Sequence, residues 1–227
     1  MRGLAHSRRL IRRTGPADGV ACVVVVGLGN PGAEFEETRH NAGADAVDLL
    51  VGRLGADLRK ERALRARVWR GHPFDMAADL AASGPEAPLV LAVPTVFMNE
   101  SGLAVRALAQ RYTAGDPSLI VVVHDDLDLA PGRVKVKSGG AAAGHNGLRS
   151  IQAHLRSSGF WRVRIGIGKP PSSAAGARYV LSRPAGRDAE LHREGVRRAA
   201  EALAILLERG PTAAMDAANQ DLSGRDA

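Results

Sequence analysis

Short apolar runs of strand length, rich in β-branched residues and separated by stretches of helical spacing, are what most narrows the folds open to this chain. Residues 20–26, VACVVVV, form the clearest run and stop at Gly27. A run this short without polar alternation fits a strand buried on both faces, as inside a parallel sheet. Residues 89–93, 119–123 and 161–167 read the same way, while residues 133–137, RVKVK, alternate like a strand with one wet face. Helical segments lie between them. Residues 42–54 repeat apolar side chains at Val47, Leu50, Val51 and Leu54, and residues 103–112 and 146–155 share that spacing. Residues 185–209 form a longer helix with an interruption expected at Gly195, and Pro211 is placed to open a last short helix. Strands alternating with helices predict an α/β fold: one domain with a mixed, twisted β-sheet flanked by helices.

Composition bounds the partners. The 227 residues are 45% hydrophobic, enough for one core and too apolar for a disordered chain. The domain is expected over residues 19–222, after a disordered Arg-rich extension at 1–18 and before a short tail at 223–227. No apolar run reaches the roughly 18 residues of a membrane span, and the basic extension lacks the apolar core of a secretory signal. A single cysteine, Cys22, allows no intrachain disulfide and falls inside the first strand, where a core thiol is expected. The cytosol, with a cytoplasmic monomer, is the expected setting. The net charge of +7 is uneven. Arg2, Arg8, Arg9, Arg12 and Arg13 face only Asp18 in the extension, and residues 133–169 hold eight Lys and Arg with no acid. Such a stretch is either a solvated face or a surface for a polyanion such as nucleic acid.

Residues 27–32, GLGNPG, match GxGxxG after a strand, with Asp48 at the distance of a ribose-binding acid. The context opposes a dinucleotide site. Glu34, Glu36 and Glu37 would repel a pyrophosphate, and helical spacing begins only after Asn41. Residues 27–43 are better read as one long ordered loop at the carboxyl end of a strand, carrying Asn30, Phe35, Arg39, His40 and Asn41. Residues 94–102, PTVFMNESG, and 124–128, HDDLD, follow strands in the same manner, and residues 139–147 add His145 and Asn146. No GxSxG elbow is present, and His40, His124, His145 and Asp125 lack the spacing of a metal motif, so no metal and no cofactor are expected. What remains suits water activated by a histidine base, a carboxylate orienting that base, and amides holding an oxyanion.

The motifs GLGNPGAEFEETRHNAG (27–43), PTVFMNESG (94–102), HDDLDLAPGRVKVKSGG (124–140), GHNGLRSI (144–151) and FWRVRIGIGKP (160–170) resemble those of the bacterial peptidyl-tRNA hydrolase family, in order and at natural spacing. The resemblance implies hydrolysis of the ester joining a peptide to the 3′ ribose of tRNA. It implies His40 as general base, Asp125 as its orienting partner, and Asn30 as the residue that positions substrate and separates peptidyl from aminoacyl esters. Asn99 and Asn146 correspond to amides that bind the peptide and the 3′-terminal nucleotide, with Asn146 also holding the water. Phe35, Phe97, Met98 and His145 complete the binding wall, and Lys137 with Arg164 match a clamp on the tRNA 5′ phosphate. Such a clamp measures shape and reads no bases.

Two positions depart from the family pattern. Phe35 stands where the family usually has Tyr, which removes a hydroxyl and keeps a stacking ring. Ala143 stands where Gly is common, a cost of about 1 kcal/mol if the backbone there needs positive φ. The rival reading is an idle relative that binds RNA without cleaving it, since the fold family includes plant RNA-splicing factors. The retention of His40 and Asp125 favours the enzyme.

Overall fold

A computed structural model describes residues 21–72, 77 and 88–219. The Arg-rich extension, the C-terminal tail and the first residue of the expected opening strand lie outside them. Seven strands form one sheet: β1 (Val23–Gly27), β2 (Arg59–Glu61), β3 (Ala66–Gly71), β4 (Leu89–Pro94), β5 (Ile120–Asp126), β6 (Val134–Ser138) and β7 (Trp161–Gly166). Their order is β2-β3-β4-β1-β5-β7-β6. The four central strands β4, β1, β5 and β7 run parallel, and β2, β3 and β6 add antiparallel edges. The sheet is therefore mixed, as expected.

The pleat sorts the valines of β1. Val23 and Val25 face a core built with α1 (Ala42–Arg53) and α5 (Arg187–Asn219), whose Leu203, Leu206 and Leu207 are fully buried. Val24 and Val26 face the opposite core, under α2 (Ser101–Tyr112) and α3 (Asn146–Leu155), with Phe160 at its centre. Each such side chain contributes about 1.5–3 kcal/mol on leaving water. Cys22 is buried and precedes β1, its N–H donating to the Tyr112 carbonyl at 2.7 Å.

One helical expectation is corrected. Helix α5 runs straight through Gly195, where a side chain would meet Ile165 Cγ2 at 3.2 Å and Gly132 Cα at 3.3 Å. The glycine lets the helix pack closely on the sheet and does not interrupt it. The break comes at Gly210, with φ 84°, and Pro211 restarts the helix as expected. Strands β2 and β3 have no counterpart among the sequence expectations.

The strand order fixes where a site can form. From β1 the chain crosses to β4 on one side and then to β5 on the other, which leaves a crevice at the carboxyl ends of these strands. The three loops after β1, β4 and β5 all open there. Gly43 brings the first of them inward: its own Cβ would lie 2.2 Å from the Val123 carbonyl oxygen, so only glycine lets α1 begin against β5. Ala44 N–H then donates to the Leu28 carbonyl and Leu28 N–H to the Val123 carbonyl, both at 2.9 Å.

Candidate active site

Residues 28–41 leave β1 through two 3₁₀ turns, Ala33–Phe35 and Arg39–Asn41, and the second delivers Arg39, His40 and Asn41 buried against the start of α1. Only the three-residue 3₁₀ turn Ala33–Phe35 follows Gly32, and the first α-helix begins at Ala42, so the glycine pattern there builds a turn. The Arg39 guanidinium donates to Ser182 Oγ at 2.8 Å and to Asp188 Oδ2 at 3.1 Å and lies 4.3 Å over the Tyr179 ring. It ties the turn that bears His40 to the start of α5.

Strand β5 is longer than its apolar run. It continues through His124 and Asp125 to Asp126, so the acidic partner sits on the sheet and not in a loop. Asp125 is 2% exposed, and its Oδ1 meets His40 Nδ1 at 2.8 Å and His145 Nε2 at 3.1 Å. An ionised carboxylate only accepts, so His40 donates from Nδ1 and keeps Nε2 as a free lone pair. His145 caps α3: its Nδ1 accepts from the N–H groups of Gly147 and Leu148 at 3.1 and 3.3 Å, which leaves its proton on Nε2. One buried oxygen thereby sets the tautomer of two imidazoles.

Charge follows from this geometry. Burial disfavours the His40 imidazolium, but the charge and hydrogen bond of Asp125 outweigh it and hold the His40 pKa above its ordinary value. Burial likewise opposes ionisation of Asp125, and the two histidines overcome it and hold the carboxyl well below the usual range. His124 donates from Nδ1 to the Asp125 carbonyl at 2.6 Å, and burial beside His145 pushes its pKa down to about 3. It stays neutral. His40, Asp125 and His145 place one ligand-type atom each within 4.8 Å, a spacing a metal ion could use. The two hydrogen bonds to Asp125 account for the cluster.

His40, Asp125, His145, Asn146, Lys137 and Arg164 all border one cavity of about 730 Å³. Asn30, Phe35, Phe97, Met98 and Asn99 lie outside its lining. Asn30 Oδ1 accepts from the Met98 N–H at 2.7 Å, and Asn30 is itself fixed by Asn41, whose Oδ1 and Nδ2 bond its backbone N–H and carbonyl at 2.9 and 3.0 Å. Its Nδ2 has no partner among the described residues. Phe35 and Phe97 meet edge to face at 6.2 Å, and Phe97 is 53% exposed. Met98 is buried and Asn99 exposed on the turn Met98–Glu100.

The acid-free segment is less uniform than its sequence. In the ladder Lys137 stands opposite Arg162, and Arg164 opposite Lys135. Arg162 is 3% exposed, donates to the carbonyls of Gly140 and Ala141 and lies 4.8 Å from the Phe160 ring, so it holds the loop before α3 and is not free for a ligand. Arg164 donates from Nε to Asp126 Oδ2 at 2.7 Å. Its terminal nitrogens have no partner among the described residues. Motif reading gave Asp126 and Arg162 no place in the site and placed Arg39 in the first loop without a role; the second Asp of HDDLD and the Arg before His40 were the available signals.

A family model described as peptidyl-tRNA hydrolase matches residues 24–225. The chain belongs to the peptidyl-tRNA hydrolase family. It is 47% identical over 194 residues to the peptidyl-tRNA hydrolase of Rubrobacter xylanophilus, an alignment covering 86% of this chain and 98% of that protein. That of Mycolicibacterium vanbaalenii is 46% identical over 159 residues, covering 70% and 77%. Among solved structures, the peptidyl-tRNA hydrolase of Acinetobacter baumannii superposes with a TM-score of 0.77 at 32% identity, over 88% of this chain and 95% of that one. Within the family fold Ala143 does adopt positive φ, 46°, and so carries the cost of about 1 kcal/mol that glycine would avoid. No described helix is long and apolar enough to cross a membrane.

Proposed function

We propose that this chain hydrolyses the ester bond between peptide and tRNA in peptidyl-tRNA and so returns tRNA to translation. The observation that carries this reading is the 2.8 Å contact between His40 Nδ1 and a buried Asp125 at the wall of a cavity that also holds Lys137 and Arg164. His40 Nε2 takes a proton from water as its oxygen attacks the ester carbonyl. Asp125 stabilises the resulting imidazolium without accepting the proton itself. The oxyanion is met by amide donors, for which the free Nδ2 of Asn30 is a candidate. Collapse of that intermediate breaks the bond to the 3′ oxygen, which leaves with the proton from His40. Asn99 and Asn146 bind the peptide and terminal nucleotide, Phe35, Phe97 and Met98 wall them in, and His145 holds Asp125 in register.

All these groups come from one chain, so a monomer suffices, and the substrate places the reaction in the cytosol. The parts named need no metal. Release of peptide from a blocked aminoacyl-tRNA is therefore expected to persist with EDTA present. Tight tRNA binding with no turnover under any condition would instead identify an RNA-binding relative.

Lys137 and Arg164 form the proposed clamp on the tRNA 5′ phosphate. Asp126 grips Arg164 through Nε and leaves its terminal nitrogens for a phosphate. Replacing both clamp residues with alanine is expected to weaken tRNA binding and to flatten its salt dependence by about two units of log–log slope, while small ester substrates keep their turnover. Equal losses on both substrates would refute the clamp.

A further inference from the structure

The clamp does not account for all of the exposed positive charge. Residues 59–70 carry Arg59, Lys60, Arg62, Arg65, Arg67 and Arg70 against one acid, Glu61. Arg67 is neutralised by Asp48 at 2.7 Å. Arg59 and Lys60 lie on the edge strand β2, where exposed cations are explained by protection against edge-to-edge pairing. Arg62 and Arg65 lie beyond the strand and escape that explanation. They bracket the 3₁₀ turn Arg62–Leu64, both are exposed, and neither has an ion-pair partner among the described residues. Leu64 between them is 7% exposed and anchored in the core beneath α2 and α3, so the two guanidinium stems spring from a fixed backbone. The Arg65 carbonyl accepts from Thr95 N–H at 2.8 Å, which joins this turn directly to the loop bearing Phe97 and Asn99.

Arg65 and Arg164 thus flank the crevice at the same end of the sheet. By register Arg164 stands beside His124 near the carboxyl end of β7, and Arg65 stands beside Thr95, one step beyond the pair of Ala66 with Pro94. Between them lie four strand spacings, from β3 across β4, β1 and β5 to β7, about 19 Å at about 4.8 Å each. A nucleic-acid strand advances about 3.4 Å per residue along its helix, so the span corresponds to about six base steps. One nucleotide in the cleft cannot reach both flanks, whereas a double-helical stem lying across its mouth can.

We propose that Arg62 and Arg65 form a second phosphate-binding surface that holds the double-helical part of the tRNA substrate, on the flank of the crevice away from the clamp. Contacts of this kind grip backbone and read no sequence, which suits an enzyme that must accept every tRNA body. The inference rests on the substrate reading above, and its test is a binding measurement, so that it stands or falls independently of turnover. Binding of full-length deacylated tRNA and of a short 3′-CCA oligonucleotide is measured from 50 to 200 mM salt for the full chain and for an Arg62→Gln/Arg65→Gln variant. The variant is expected to bind tRNA about tenfold more weakly at low salt, with a log–log salt slope shallower by about two, and to bind the oligonucleotide as before. Arg62→Lys/Arg65→Lys is expected to restore the slope. An unchanged slope for full-length tRNA would overturn the proposal, as would an equal loss on both RNAs. An unaltered tRNA slope accompanied by lost ribosome binding would overturn it too and assign the surface to ribosomal RNA. Turnover of peptidyl-tRNA by the same preparations reports separately on the reaction.

Discussion

Replacing His40 with alanine is expected to lower turnover of peptidyl-tRNA by about 10² or more while tRNA binding stays within about twofold of the parent. The size of the loss follows from what Nε2 supplies. It is the one nitrogen of the Asp125-linked base that no carboxylate occupies, and without it water must attack without a proton acceptor. Binding survives because the cations proposed to hold tRNA, Lys137 and Arg164, stand on β6 and β7 and do not touch the imidazole. Folding should survive as well, since Asp125 Oδ1 keeps the hydrogen bond from His145 and is not left buried without a partner. Single-turnover rates and tRNA affinity, measured on the same preparation, check both halves. Retained turnover would exclude His40 as the base; lost binding would mean that the residue shapes the site and does not serve it chemically.

Asp125→Asn is expected to cost less, about tenfold to 10², and to change the pH profile in a definite direction. Both imidazoles converge on Oδ1, and an asparagine carbonyl placed there still accepts from His40 Nδ1 and His145 Nε2. Geometry and tautomers are therefore largely kept, and what disappears is the negative charge. That charge is what holds His40 above its ordinary pKa against the opposing effect of burial. The base works in its neutral form, so the acidic limb of kcat/KM follows the His40 pKa. In the parent this limb sits above about 6.5; in Asp125→Asn it moves to lower pH, because burial is no longer offset. The plateau falls because the imidazolium formed in the transition state has lost its counter-charge. A lower plateau with an unmoved limb would count against an electrostatic role for Asp125.

Much of the scaffold was written locally. The valines of β1, the alternation of β6 and the apolar spacing of α1, α2 and α3 each follow from burial on one or two faces, which is a short-range property of sequence. The misses have equally physical causes. Strand β2 is RKE, exposed at every residue, and gains its hydrogen bonds from β3 without burying a side chain. Gly195 reads as a helix breaker because propensity is local, whereas its use is to let α5 approach Ile165. Strand β5 outruns its apolar stretch because pairing with β7 continues through His124, Asp125 and Asp126 regardless of their polarity. Arg162 counted as one more positive charge in an acid-free run, yet only the folded chain shows it buried under the loop that it holds.

The sequence alone determined the class of fold, the motifs that carry the family, and the kinds of group available: imidazole, carboxylate, amide and a segregated basic stretch. Those are properties of residue type and near spacing. Only the tertiary structure decided which groups act on one another. His40 and Asp125 are 85 positions apart, and they meet because Gly43 lets α1 start against β5. His145 reaches the same oxygen because it caps α3, and Asn30 is committed to Met98 because β4 lies beside β1. Hydrogen bonds of about 3 Å are set by the order and register of strands in the sheet, which no local pattern encodes.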